Sequence, residues 1–241
     1  MLHGVLVSGT STGVGKTWLS RGLARALTRA THPVAAIKPI ETGVQLNPLD
    51  ASALGSACGR PELAHLPGLV RQRRPLSPYA GQLAGERPVD VDALVSAVRG
   101  ACVRGELAIV ESAGGLLVPL TRELDTADLA ARLALPLLMV APNRLGVLSD
   151  ALAYAAVARL RGLELAALVL TDGPWSDSST EHNHRILAER LGHDVLRMPA
   201  GRDDDDALAD AVESAGLLAR VLRLAERSRE RHRPADGGDA P

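Results

Sequence analysis

The chain alternates short, unbroken apolar runs with longer Ala/Leu-rich stretches whose apolar positions recur every three or four residues. Unbroken runs mark strands buried on both faces, and the periodic stretches mark amphipathic helices laid over them. The runs predict strands at residues 4–8, 34–38, 107–111, 136–141 and 165–170, with a shorter one at 195–198. The periodic stretches predict helices at 16–30, 50–59, 91–104, 125–133, 149–160, 180–191 and 204–224. Alternating strands and helices give an α/β fold, a mainly parallel sheet flanked by helices on both faces, in a single domain. Between residues 59 and 88 the pattern lapses into a Pro- and Gly-rich excursion. Irregular chain of that length usually serves as a lid or a substrate-binding element. From residue 226 to 241 the chain turns Arg/Glu-rich and then Pro/Gly/Asp-rich. The domain is therefore drawn as 1–225, and the remainder as a disordered polar tail.

Composition narrows the classes of function. The chain has 241 residues, enough to bury a substantial core. A net charge of −1 gives no bulk electrostatic reason to bind nucleic acid or an anionic membrane. Phe is absent and aromatics make up 2%, so there is almost no platform on which bases could stack. No apolar stretch reaches the roughly 20 residues of a membrane-spanning helix, and no signal peptide is evident. Cys58 and Cys102 lack CxxC spacing and read as free, packed thiols. The expected location is the cytoplasm.

The chemistry concentrates at the ends of the early strands. After the first strand comes GTSTGVGKT, residues 9–17, leading into a helix. Strand, glycine-rich turn, Gly-Lys-Thr and helix form a nest of backbone N–H groups at a helix N-terminus, which favours a phosphate. Lys16 would reach the β- and γ-phosphates, and the Thr17 hydroxyl would ligate Mg²⁺. The loop is a variant: Gly9 lies one residue further from Gly15 than usual, and Thr10 takes the ordinary first-glycine position. Only two of the 27 basic residues are lysines, Lys16 and Lys38. An ammonium is a compact charge with three donors it can re-aim, which a planar guanidinium is not. Lys38 precedes Pro39, so its backbone is held extended, and it should project from the end of the second strand beside the γ-phosphate. Glu111 ends another apolar run and opens onto Ser112-Ala113-Gly114-Gly115, at the sheet edge where ligands bind in such folds. A Mg²⁺ ion bound with a triphosphate needs such carboxylates. Asp50, taken alone, reads as the N-cap of its helix.

Taken together, GTSTGVGKT, IKPIETG, DASAL and VESAGGLLVPL resemble the dethiobiotin synthetase family in order and spacing, over residues 3–200. The resemblance implies a P-loop NTPase-like fold and a cyclo-ligase of biotin biosynthesis. Such an enzyme uses ATP and Mg²⁺ to join CO₂ to 7,8-diaminononanoate and close a ureido ring, releasing ADP and phosphate. It further implies a homodimer acting on a small molecule, without nucleic acid or membrane. By position, Thr17, Asp50 and Glu111 match the family's magnesium ligands. Lys16 with Gly13, Val14, Gly15, Thr17 and Trp18 matches its phosphate loop, and Thr12 falls on a site threonine. Lys38 matches its catalytic lysine and Thr42 a substrate-contacting residue. Ser112, Ala113 and Gly114 fall on a nucleotide-contacting segment. Thr171 and Asp172 match an Asn-Asp pair that contacts adenine, and Pro199, Ala200 and Gly201 a further nucleotide-contacting turn. The chain departs from the family at Ser11, Gly13, Ser112, Thr171 and Tyr79. It also departs at 145–150, where the family carries a segment that helps hold the substrate carboxylate across its dimer and this chain keeps only the glycine. The rival reading is a partition- or Min-type ATPase switch, but that group carries a second lysine early in its loop, where this chain has Ser11.

Overall fold

The computed structural model describes residues 2–102 and 105–231. In chain order the strands are β1 (His3–Gly9), β2 (Val34–Ile37), β3 (Ile40–Thr42), β4 (Val70–Gln72), β5 (Leu107–Gly115), β6 (Leu137–Pro142), β7 (Leu165–Thr171) and β8 (Val195–Met198). The helices are α1 (Lys16–Arg29), α2 (Leu49–Ala57), α3 (Pro78–Leu83), α4 (Val91–Ala101), α5 (Thr126–Leu133), α6 (Val147–Leu160), α7 (Thr180–Leu191), α8 (Asp205–Ser214) and α9 (Leu217–Arg231). Six parallel strands form the main sheet in the order β2-β5-β1-β6-β7-β8. This is the predicted α/β architecture. The central strands β1 and β6 are almost wholly buried, and so is β5 through its first six residues, as unbroken apolar runs require when helices cover both faces.

One layer, α1, α2, α8 and α9, packs along β1 and β2; the other contains α4 to α7. The core is aliphatic, with Leu6, Leu19, Leu23, Ile37 and Ile109 fully buried among alanines. Small residues allow close layers: a Cβ built on Gly22 of α1 would meet the Leu208 carbonyl of α8 at 2.7 Å. At their rim the same two helices are laced by Arg21 to Asp205, Arg25 to Asp206, and Arg29 to Asp210, and Arg21 also meets Asp203 just before α8. Cys58 and Cys102 are free thiols, and burial raises the pKa of each, to about 11 for Cys102.

Several boundaries differ from the sequence reading. The excursion at 59–88 is not structureless: it holds a 3₁₀ turn at Pro61–His65, then β4 and α3. Strands β3 and β4 pair in parallel as a separate two-stranded sheet, with Glu41 opposite Arg71. The helix predicted at 204–224 is two helices, divided at Gly216, whose φ of +74° no helix interior accommodates. Helix α4 ends at Ala101, and residues 103 and 104 of its predicted span lie outside the described residues. Helix α9 continues through Arg231, beyond the boundary drawn at 225, with Ala225 in the core and Ser228 hydrogen-bonded to His3 at 3.0 Å. The rest of the predicted tail, 232–241, lies outside the described residues.

Candidate active site

The site forms where β1, β2 and β5 end side by side. The N-cap of helix α1 is Gly15, which adopts a left-handed φ of 92°, and no side chain caps the first turn. The helix thus presents backbone donors and the positive end of its dipole to an incoming anion. Lys16, nearly buried, folds back so that Nζ donates to the Ser11 carbonyl at 2.8 Å. The next side chain, Thr17, donates through Oγ1 to Glu111 Oε1 at 2.7 Å. Glu111 is fully buried on β5, and its second carboxylate oxygen has no hydrogen-bond partner.

Lys38 stands one residue past β2, beside β5 in the sheet order, and reaches the same carboxylate. Its Nζ donates to Glu111 Oε1 at 2.7 Å and also to Asp50 Oδ2. Burial pulls the Lys38 pKa down, but the charges of Glu111 and Asp50 and their hydrogen bonds outweigh it and leave it raised. Lys16 goes the other way. Burial lowers its pKa to about 8, the Lys38 charge adds to the fall, and the Glu111 and Asp50 charges only partly oppose it. Two cations, two carboxylates and a hydroxyl are thereby joined into one cluster at the mouth of the phosphate loop.

Asp50 is not the N-cap that the sequence suggested. The N-cap is Pro48, which makes no side-chain cap bond, and Asp50 lies in the first turn of α2. Its side chain is left free to meet Lys38. The capping is done instead by Glu41 of β3, whose Oε1 accepts from the Asp50 N–H at 3.0 Å and Oε2 from the Ala51 N–H at 2.9 Å. Sequence reasoning passed over Glu41, although it lies within the quoted segment 37–43. Its only signal there was an acidic residue two positions before a glycine.

A cleft of about 640 Å³ opens over this cluster. Thr12, Gly13, Gly15, Lys16, Thr17, Trp18, Lys38, Thr42, Asp50, Ala113 and Gly114 line it, all of them anticipated from the sequence. Ile40, Glu41, the segment 75–78 and Val118 complete the wall, so the Pro-rich excursion does reach the cleft.

The other anticipated residues lie behind or beside it. Val14 is buried under the loop, and its carbonyl accepts from Thr171 Oγ1 at 2.9 Å. Thr171 also donates to the Ala141 carbonyl at 3.3 Å, and its methyl group faces Gly15. It therefore braces the phosphate loop from below. Asp172 accepts from Asn143 Nδ2 and Arg197 Nε, each at 2.8 Å. Ser112 is buried and donates to the Gly114 carbonyl at 3.2 Å. Pro199 and Ala200 are exposed, and Gly201 lies against the Trp18 ring.

Comparison with known proteins places this geometry in context. Residues 3–198 match the model of a family described as an AAA domain. The chain is 39% identical to an ATP-dependent dethiobiotin synthetase of Anaeromyxobacter dehalogenans, over 91% of this chain and 99% of that protein. It is 32% identical to the corresponding synthetase of Aquifex aeolicus, over 83% and 90% of the two chains. A synthetase of Haloferax mediterranei is also 32% identical, over 93% and 96%. Among solved structures, the MinC:MinD cell division complex of Aquifex aeolicus matches with a TM-score of 0.52 at 13% identity, covering 95% of this chain and 96% of that one. Chloroplast FtsY of Physcomitrella patens matches with a TM-score of 0.50 at 15% identity, covering 88% and 65%. Identity that low shows a shared fold and nothing further.

Proposed function

From the premise that this chain belongs to the dethiobiotin synthetase family, we propose how its residues divide the work. The protein is a ligase that makes dethiobiotin with ATP in biotin biosynthesis. The observation that carries the division of roles is the convergence of the chain's two lysines on one cleft, Lys16 on the phosphate loop and Lys38 between Asp50 and Glu111. The likeness to Min-type ATPases extends to the fold alone.

The substrates are 7,8-diaminononanoate, CO₂ and ATP. One amine of the diamine captures CO₂ as a carbamate. A carbamate oxygen attacks the γ-phosphorus, and ADP leaves. The second amine attacks the carbonyl carbon of the resulting carbamic–phosphoric anhydride, phosphate departs, and the ring closes. No enzyme nucleophile is required, so the protein's part is to position charge and reactants. Lys16 and the N–H groups opening α1 hold the β- and γ-phosphates. Lys38 offsets the negative charge shared by carbamate and transferring phosphoryl group, while Thr42 and the 75–78 wall confine the diamine. Trp18 with 199–201 flanks the nucleoside, and Thr171 keeps the loop in shape beneath it.

The donor set also fits Mg²⁺. Thr17, Asp50 and Glu111 offer a hydroxyl and two carboxylates, the hard oxygen donors this ion takes alongside phosphates. Glu111 Oε2, buried and unpartnered, is the kind of atom a cation would satisfy. Among the described residues no three His, Cys, Asp or Glu side chains gather to hold a metal; Mg²⁺ ordinarily takes one or two carboxylates and completes its shell with substrate phosphates and water. Bound there, Mg²⁺ would neutralise charge on the β- and γ-phosphate oxygens. The proposal includes a cytoplasmic homodimer; among the described residues no helix is long and apolar enough to cross a membrane.

The test is incubation with ATP, bicarbonate and 7,8-diaminononanoate, with the product identified by mass. Diamine-dependent ADP release matched by dethiobiotin is expected. ATP hydrolysis indifferent to the diamine, but stimulated by lipid or DNA, would overturn the assignment.

A further inference from the structure

We propose that Glu41 is a positioning residue: its buried carboxylate ties the first turn of α2 to the strand that follows Lys38, and so holds Asp50 on the Lys38 ammonium group. The inference rests on the roles given above to Lys38 and Asp50. It begins from the weakness of the Asp50 side chain as an anchor. That side chain is 44% exposed, so packing does not fix it. An exposed carboxylate meeting a lysine ordinarily gains little, because ordering two flexible side chains costs entropy. Asp50 can face Lys38 persistently only if its backbone is held.

The sequence of α2 does not hold it. Pro48 at the N-cap makes no side-chain cap bond, so the helix has no local acceptor for its first N–H groups. Glu41 supplies both acceptors from a different element, one oxygen for Asp50 N–H and one for Ala51 N–H. It is 7% exposed, and its negative charge faces the positive end of the helix dipole. A serine or aspartate at position 48 would cap the helix equally well. It would not connect the helix to anything.

The other end of the tie is equally built. Glu41 pairs in register with Arg71 across the small β3–β4 sheet. Arg71 Nη1 donates to the Lys38 carbonyl at 3.0 Å and the Pro39 carbonyl at 3.3 Å, and Nη2 to the Ala64 carbonyl at 2.9 Å. Arg71 therefore fixes the Lys38 backbone, while Glu41 fixes the residue that meets its ammonium. The small sheet, invisible in the sequence, acts as a bracket between the two.

Three variants test this: Glu41→Ala, Glu41→Gln, and Glu41→Ala combined with Pro48→Asp. In Glu41→Ala, kcat should fall about 10- to 100-fold, the scale of a small misplacement of a catalytic group. The KM for ATP should rise by a smaller factor than kcat falls, because the phosphate loop itself is untouched and only the Asp50 contribution to the metal site loosens. Amide hydrogen exchange in the first turn of α2 should quicken about fivefold, matching the loss of a cap, with α1 unchanged. Glu41→Gln, which keeps a single acceptor oxygen, should fall between. Adding Pro48→Asp should restore melting temperature and slow exchange but leave kcat low.

Parent-like kcat in folded Glu41→Ala would overturn the proposal. So would recovery of kcat with Pro48→Asp, since Glu41 would then be a local cap only. A rise in the KM for the diamine with kcat unchanged would also overturn it, showing Glu41 to be a direct substrate ligand. Exchange in the first turn of α2 that is unchanged in Glu41→Ala would overturn the tie even if the parent enzyme makes no dethiobiotin, an outcome that would refute the functional reading instead.

Discussion

Replacing Lys38 with methionine tests the centre of the site, because it deletes a charge while keeping most of the volume. The Lys38 side chain is 8% exposed and its partner Glu111 is 0% exposed. At their 2.7 Å separation and an effective dielectric near 20, the gross attraction is about 6 kcal/mol. Desolvation of both groups offsets much of that, so the pair's net value is modest. Removal of one partner is another matter. Glu111 would keep the Thr17 hydroxyl on one oxygen, and its other oxygen has no partner already. Leaving such a carboxylate buried with only the Lys16 ammonium nearby costs at most about 3–5 kcal/mol, or at most roughly 6–20 °C in Tm for a domain of this size. Urea unfolding with a constant m-value measures the loss. Lys38→Met with Glu111→Gln should recover more than about 1 kcal/mol of it, because the second change removes the stranded charge. Turnover should drop about 10²–10³-fold in Lys38→Met. Lys38→Arg should not restore it, since a guanidinium is wider and its fork is fixed. A Lys38→Met protein as stable as the parent, or one turning over near the parent rate, would refute the cluster as described.

Two further outcomes follow from the same geometry. Lys16 is harder to charge in the folded protein, at a pKa of about 8, than in the unfolded chain at 10.5, so it opposes folding fully below pH 8. Lys16→Met should thus stabilise the nucleotide-free protein at pH 7 by at most about 3 kcal/mol while abolishing ATP binding. The gain should fade as pH rises from about 8 to 10.5, as followed by Tm in EDTA; a variant no more stable than the parent at pH 7 would contradict it. Thr171→Val keeps the shape but deletes the hydroxyl bonds to the Val14 and Ala141 carbonyls. It should cost about 1–3 kcal/mol and raise the KM for ATP more than it lowers kcat; an unchanged KM would show that the loop needs no brace.

Whatever depends on neighbours along the chain was open to reading from the sequence. The six main strands, the phosphate loop with Lys16 and Thr17, and the strand-end placement of Lys38 and Glu111 are of this kind. Strand burial is written in unbroken apolar runs, and the loop in the spacing of its glycines. Three-residue strands such as β3 and β4 are too short for any period to register, so the small sheet stayed hidden inside an apparent excursion. Asp50 read as a cap because local logic had no means of knowing that Glu41 would cap the helix from another strand. Thr171 was placed only by its match to a family position, and nothing in the sequence signals that its hydroxyl reaches the carbonyls beneath the loop.

The cluster itself was decided in three dimensions. Thr17 and Glu111 stand 94 positions apart, and Lys38 and Glu111 stand 73 apart. They meet because the order β2-β5-β1 inserts β5 between two strands that are consecutive in the chain on either side of α1. Sequence supplied the residue types at three strand ends. Strand order, set by the packing of helices on both faces of a right-handed parallel sheet, brought their charges within hydrogen-bonding distance.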